Sequence, residues 1–307
     1  MRARAKVEFG LLPTEALLPA AARLDEQPAA KIVDLLTAQE ARTVQAVRGQ
    51  RAAIAAAAEL CAAALARGGR LVYAGAGTSG RLGALDAAEC PPTFSVAPSR
   101  VCAVIAGGPR ALTHAVEGAE DDPREAELRL RRVGLGPRDV LCAIAASGVT
   151  PFTLAALEYA RRRRSRTIFV TCAKPPAAER LADVVIAAVV GPEVVAGSTR
   201  LKAGTATKLI LNAISTTTFV LLGKTYGNLM VDVAPTSDKL RDRARRIVGA
   251  LARLDERAAQ ALLTRAGGRP KVALVMHHRK VSRAKAEALL AEAGGRLRRV
   301  IGEVRRA

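Results

Sequence analysis

Five short apolar runs constrain the fold more than any other feature. They cover residues 70–74, 101–106, 140–146, 167–172 and 183–190. The first ends in Gly75-Ala76-Gly77-Thr78-Ser79-Gly80, the second in Gly107-Gly108, and the third in Ser147-Gly148-Val149-Thr150-Pro151. Stretches of helical character lie between them, among them 81–89 and 151–163. A run that is apolar throughout, rather than at alternate positions, predicts a strand buried on both faces. Strands alternating with helices predict an α/β fold, a doubly wound parallel sheet with flanking helices. Half the residues are hydrophobic, only 3% are aromatic and Trp is absent, so the core is built from Ala, Val, Leu and Ile.

Around this sheet the chain divides into three stretches. Residues 1–36 form an N-terminal arm, interrupted by Pro13, Pro19 and Pro28. Residues 37–235 form the main domain. It opens with Thr37-Ala38-Gln39-Glu40, which reads as a capping box and predicts a long helix to about Ala66. Residues 110–132 also read as helical, with an acidic interruption at 116–122. Residues 202–223 predict a further helix, apolar over much of its length. Residues 236–307 show short helical patterns broken by Gly267-Gly268 and Gly294-Gly295, a small C-terminal helical domain.

Charge and cysteine usage narrow the function classes. There are 48 Lys+Arg against 28 Asp+Glu, a net charge of +20. The basic residues are scattered, and no helix-turn-helix, zinc pattern or aromatic platform accompanies them. Arginine spread over solvated helix faces is the favoured reading, so no nucleic-acid partner is expected. Cys61, Cys90, Cys102, Cys142 and Cys172 are odd in number and widely spaced. They predict free thiols in a reducing cytoplasm. The opening residues do not read as a signal peptide, so none is expected. The stretch 209–223 is too short and too polar to span a bilayer, so no membrane association is expected. The three histidines, His114, His277 and His278, lack the company a metal site needs.

The loops after the first and third runs carry the chemistry. Ligands of doubly wound sheets bind beyond the carboxyl ends of the strands, where both loops lie. Gly75-x-Gly77-x-x-Gly80 has the glycine spacing of a dinucleotide fingerprint. That fingerprint needs an acid at the end of the next strand, and here the strand ends in Ala106-Gly107-Gly108. Gly77, Thr78, Ser79 and Gly80 instead suit a phosphate monoester at a helix N-terminus. Ser147, Gly148 and Thr150 offer a second wall. Glu193, Ser198, Thr199 and Lys202 precede the apolar helix and form another candidate anion-facing group, with simple helix capping as the alternative. Among the acids, Glu89 stands out by its closeness in sequence to the glycine loop, and Glu117 and Glu120 lie in the acidic interruption.

These residues resemble a known family. Gly75 to Gly83, Asp86-Ala87-Ala88-Glu89-Cys90-Pro91-Pro92, and Ala115-Val116-Glu117-Gly118-Ala119-Glu120-Asp121 are similar to the motifs of the N-acetylmuramic acid 6-phosphate etherases. So are Gly191-Pro192-Glu193, the stretch 198–206, and Gly227-Asn228-Leu229-Met230-Val231-Asp232-Val233. The related glucokinase regulatory protein shares the fold and parts of the motifs. The resemblance implies a sugar isomerase (SIS) domain carrying a phosphosugar site, a UBA-like C-terminal domain, a homodimer and a cofactor-free lyase. It implies cleavage of the D-lactyl ether of N-acetylmuramic acid 6-phosphate in cell-wall recycling, with Glu89 and Glu120 catalytic. The alternative is a non-catalytic phosphosugar sensor of the glucokinase-regulator type. Val149 stands where the family carries arginine, Ala88 where it carries serine, and Ala196 where it carries threonine.

Overall fold

The computed structural model describes residues 10, 12–173, 180–233 and 235–304. Residues 1–9 and 11 of the expected arm lie outside that set. In chain order the main elements are α1 (Ala29–Gly49), α2 (Arg51–Ala66), β1 (Leu71–Gly75), α3 (Gly77–Phe94), β2 (Val101–Ile105), α4 (Pro123–Arg132), β3 (Val140–Ile144), α5 (Pro151–Arg162), β4 (Arg166–Thr171), β5 (Val184–Ala187) and α6 (Lys202–Leu221). Five shorter helices follow: α7 (Asp238–Ala252), α8 (Glu256–Arg265), α9 (Pro270–Arg279), α10 (Arg283–Glu292) and α11 (Leu297–Ile301).

The strands form one parallel sheet in the order β2-β1-β3-β4-β5. Chain direction reverses its winding between β1 and β3, which makes their carboxyl ends the switch point where such sheets bind ligands. The register places Gly75 opposite both Ile105 and Ile144, so the loops after β1, β2 and β3 leave at one level. Every residue of β1 and β3 is buried, as their continuous apolar sequence requires. Val72, Ala74, Leu141, Ala143 and Phe169 pack on one face with Leu130 of α4 and Phe152 and Leu157 of α5. From the other face the Tyr73 hydroxyl donates to Asp86 Oδ2 of α3 at 2.8 Å, and Ser215 of α6 donates to Asp86 Oδ1 at 3.0 Å. Two donors satisfy a carboxylate that is buried among apolar groups.

An ion pair ties the amino ends of β1 and β3. Asp139 accepts from Arg70 Nη2 at 2.6 Å, from Arg70 Nε at 3.1 Å, and from the backbone N–H groups of Arg70 and Gly136, each at 3.0 Å. Burial pushes the Asp139 carboxyl up, but the Arg70 and Gly136 hydrogen bonds outweigh it and hold it below the ordinary carboxylate range.

Two helical expectations need correction. The helix expected over 37–66 begins at Ala29, directly after Pro28, and breaks at Gln50. Thr37 is therefore inside α1, not at its cap, and its hydroxyl donates back to the carbonyls of Val33 and Asp34. Pro28, with φ −65° and ψ 151°, presets the entry into the helix better than a hydroxyl nine residues later. The break is tertiary in origin: Gln50 has ψ 10°, and its side chain accepts from Ala187 N at the end of β5. In 110–132 only Pro123–Arg132 is α-helical, preceded by the 3-10 turns Pro109–Leu112 and Ala119–Asp121. Gly118 turns left-handed (φ 70°), and Asp122 caps α4 through Arg124 N and Glu125 N ahead of Pro123.

The chain forms two compact units. One comprises the described residues within 1–87 and 99–215 and contains the whole sheet; the other comprises 88–98 and those within 216–307. The second unit has its own core around α9, with Val248, Leu251, Leu263, Leu274 and Val275 at its centre. Within it Lys271 is buried and donates to Asp232 Oδ2 at 2.6 Å and to the Gly295 carbonyl at 2.7 Å.

Candidate active site

The site is built where β1 gives way to α3. Strand and helix are separated by Ala76 alone. Gly77 takes φ +51°, a conformation that L side chains rarely adopt. Gly80 is required by close approach: a Cβ there would lie 2.5 Å from Ile105 Cγ1 and 2.6 Å from the Gly75 carbonyl oxygen. The first N–H groups of α3 have no helical acceptor, and its first turn holds no acidic residue to occupy them. The Thr78 and Ser79 hydroxyls make no hydrogen bond to any other described residue. That leaves a helix N-terminus and two hydroxyls able to receive an anion.

The loop after β3 faces it. Gly148 turns at φ +78°, and the Ser147 hydroxyl accepts a long, 3.4 Å bond from Val149 N. Thr150 heads α5 without spending its side chain on a cap, and Pro151 at the first helical position removes an N–H that would otherwise need one. Between the two loops lies a cavity of about 390 Å³. Gly77, Thr78, Ser79 and Arg81 line it from the β1 side, and Ser147, Val149 and Thr150 from the β3 side. Glu120 and Asp121 line it from a 3-10 turn, Ala119–Asp121. Burial pushes the Glu120 carboxyl above the ordinary carboxylate range, and the neighbouring charges of Asp121 and Glu117 push the same way. A carboxylate so raised is a stronger base than a free one.

Other candidates sit elsewhere. Thr199 lines the cavity, whereas Ser198 does not. Glu193 is 1% exposed, and its carboxylate accepts from Lys202 N at 3.0 Å and Ala203 N at 2.9 Å. A carboxylate of the chain itself thus occupies the anion position at the head of α6. The Lys202 ammonium donates to Gln39 Oε1 at 3.2 Å and is pushed down by burial, away from the cavity lining. Gly80 and Gly148 shape the turns without lining the cavity. Glu89 stands exposed on α3, more than three turns beyond Gly77, in the segment that groups with the second unit.

Several lining residues had no local sequence signal. Leu12, Thr14 and Glu15 reach the cavity because the Thr14 carbonyl accepts from Gly197 N at 3.1 Å, a contact across the whole domain. Arg81 lies inside the glycine motif. Its Nε donates to the Ala111 carbonyl at 2.9 Å and its Nη2 to the His114 carbonyl at 3.0 Å. Among the described residues no group of three His, Cys, Asp or Glu is arranged to hold a metal ion, and no helix is long and apolar enough to cross a membrane.

Hydroxyl-bearing loops and a helix N-terminus at one end, with a raised carboxyl in the same cavity, can hold a phosphate ester and abstract a proton from it. Residues 53–161 match the family model of the glucokinase regulatory protein N-terminal SIS domain. A phosphoheptose isomerase structure from Francisella tularensis is similar over 62% of this chain and 97% of its own, with 20% identity and a TM-score of 0.49. Curated relatives match over nearly the full length. The N-acetylmuramic acid 6-phosphate etherase of Gloeobacter violaceus is 52% identical over 93% of this chain and 94% of its own. That of Streptomyces coelicolor is 46% identical over 94% and 92%. At such identity over such length, this chain belongs to the N-acetylmuramic acid 6-phosphate etherase family.

Proposed function

We propose that this chain cleaves the D-lactyl ether of N-acetylmuramic acid 6-phosphate, yielding N-acetylglucosamine 6-phosphate and D-lactate. The observation that carries the reading is the single cavity holding Thr78, Ser79, Ser147, Thr150 and Glu120. The sugar phosphate is anchored at the head of α3, and this binding orients the reacting carbons. In the ring-opened sugar the C2 proton is acidic because it is α to the aldehyde. Glu120 takes that proton. The C2–H electron pair forms the C2–C3 double bond as the C3–O bond breaks, and the departing lactate oxygen receives a proton from a carboxylic acid. Water then adds across the unsaturated aldehyde, placing OH on C3 and H on C2. The resemblance pairs Glu89 with Glu120, so with Glu120 as the base the acid falls to Glu89, which does not itself line the cavity. One carboxyl must start ionised and the other protonated, so the two need different environments.

A role in cell-wall recycling, in the cytoplasm and as a homodimer, belongs to the same proposal. The second copy finds support in α1, where Thr43 is the buried residue and Val33 and Val44 stand 56% and 47% exposed. The test of the reaction is D-lactate release from N-acetylmuramic acid 6-phosphate. Release by the wild-type chain, and its loss in Glu120→Gln, supports the proposal; no release by the wild type refutes it.

A further inference from the structure

Arg81 carries the positive charge of the cavity lining; the charged groups that line the cavity beside it, Glu15, Glu120 and Asp121, are acidic. Its guanidinium is held by two neutral main-chain carbonyls, those of Ala111 and His114, and forms no ion pair with a carboxylate among the described residues. A guanidinium has five N–H donors in a fixed fork, so three remain after these two bonds. A half-buried cation left unneutralised in a ligand cavity calls for an anion from outside the chain.

The proposed phosphate position is at the head of α3, and Arg81 lines the same cavity. The N-terminal turn of α3 and four hydroxyls serve the phosphate without Arg81. Arg81 sits one turn further along α3, and its two anchors belong to the segment that leads directly into Glu120. Its anchors thus tie it to the segment that carries Glu120, the base of the proposed reaction. The group attached at the C3 ether carries a carboxylate one carbon from the breaking bond.

Resting on the etherase reading above, we propose that Arg81 recognises the carboxylate of the lactyl group. It would thereby select a C3-lactyl sugar phosphate over sugar phosphates that lack the acid. Planar carboxylate and planar guanidinium meet through two parallel hydrogen bonds, which gives direction as well as charge. The same bonds hold the leaving group so that its oxygen departs along one path.

The test compares three ligands by calorimetry in a Glu120→Gln background, which stops turnover: N-acetylmuramic acid 6-phosphate, its carboxamide, and N-acetylglucosamine 6-phosphate. With Arg81 intact, the acid should bind about tenfold or more tighter than the carboxamide. With Arg81→Met added, acid and carboxamide should bind alike, and N-acetylglucosamine 6-phosphate should bind within about threefold of its former affinity, which also reports that the site is folded. Arg81→Lys, which keeps the charge and loses the fork, should retain part of the preference for the acid. Equal binding of acid and carboxamide with Arg81 intact overturns the proposal and needs no folded Arg81 variant. A preference that persists undiminished in Arg81→Met, or an equal loss for N-acetylglucosamine 6-phosphate, also overturns it, the latter assigning Arg81 to the phosphate. Lactate release by the wild-type chain is measured separately, so a failure of the etherase reading is distinguished from a failure of the Arg81 assignment.

Discussion

Replacing Glu193 with alanine separates a structural carboxylate from a substrate-binding one. Glu193 is buried and accepts from the first two backbone N–H groups of α6, at 3.0 and 2.9 Å. Alanine leaves both donors without an acceptor, and a buried donor so orphaned costs about 1–3 kcal/mol. Water entering the vacated space recovers part of that, so we expect a net loss of about 3 kcal/mol. For a unit of this size each kcal/mol corresponds to about 2–4 °C, so the melting temperature should fall by about 6–12 °C. The buried Lys202 ammonium also loses a favourable neighbouring charge, which adds to the cost. Glu193→Gln retains one acceptor oxygen and should lose about half as much. The chain has no Trp, so urea unfolding followed by far-UV circular dichroism is the suitable assay. KM measured below the transition should stay near wild type. A Glu193→Ala variant within about 0.5 kcal/mol of wild type, but with a KM raised tenfold or more, would refute the capping assignment.

Other perturbations test other parts of the account. Asp139→Asn should destabilise the fold by about 3 kcal/mol, because it leaves Arg70 half-buried without its counter-charge; unfolding at pH 7 checks this. Because the Asp139 carboxyl is depressed in the folded state, its stabilisation is full above the unfolded carboxylate pKa and is lost as pH falls through the lower folded value. The acid-side slope of stability should therefore be shallower in Asp139→Asn. Glu120 has the opposite sign. Its folded pKa is raised, so it favours folding below the unfolded value, and that contribution disappears as pH rises through the folded value. Glu120→Gln should flatten this part of the stability profile, and the acid limb of kcat/KM in the wild type should lie above the ordinary glutamate range of about 4.3. Gly80→Ala should cost about 1–3 kcal/mol or more, since the added Cβ meets Ile105 and the Gly75 carbonyl; a melt of the variant at wild-type level would contradict the packing described here.

The sheet was legible in the sequence because its central strands are buried on both faces and so read as unbroken apolar runs, and the half-buried edge strands β2 and β5 are apolar too. The glycine loop was legible because much of its demand is local: Gly77 answers to its own backbone angle and Gly80 to the nearby Gly75 carbonyl, although Gly80 also makes room for Ile105 of β2. Where tertiary contacts decide, local signals misled or were silent. Thr37 and Glu40 have the spacing of a capping box but sit inside a helix that Pro28 starts and Gln50 breaks through its bond to β5. The Ser198 to Lys202 stretch reads as an anion site, and nothing in it reveals that Glu193 takes those N–H groups itself. Thr14 and Glu15 reach the cavity through a bond to Gly197 that no periodicity announces. Arg81 was in plain view within the motif, but that its guanidinium is held by carbonyls and not by a carboxylate is visible only in three dimensions.

The central claim is that Glu120, in the cavity that holds the sugar phosphate, removes the C2 proton. The most direct measurement is exchange of that proton: N-acetylmuramic acid 6-phosphate is incubated in deuterated water with the wild-type chain, Glu120→Gln and Glu89→Gln, and deuterium at C2 and D-lactate are followed together. The account expects the wild type to incorporate deuterium and release lactate, Glu120→Gln to do neither, and Glu89→Gln to exchange the proton while releasing little lactate. Undiminished C2 exchange in Glu120→Gln would contradict it.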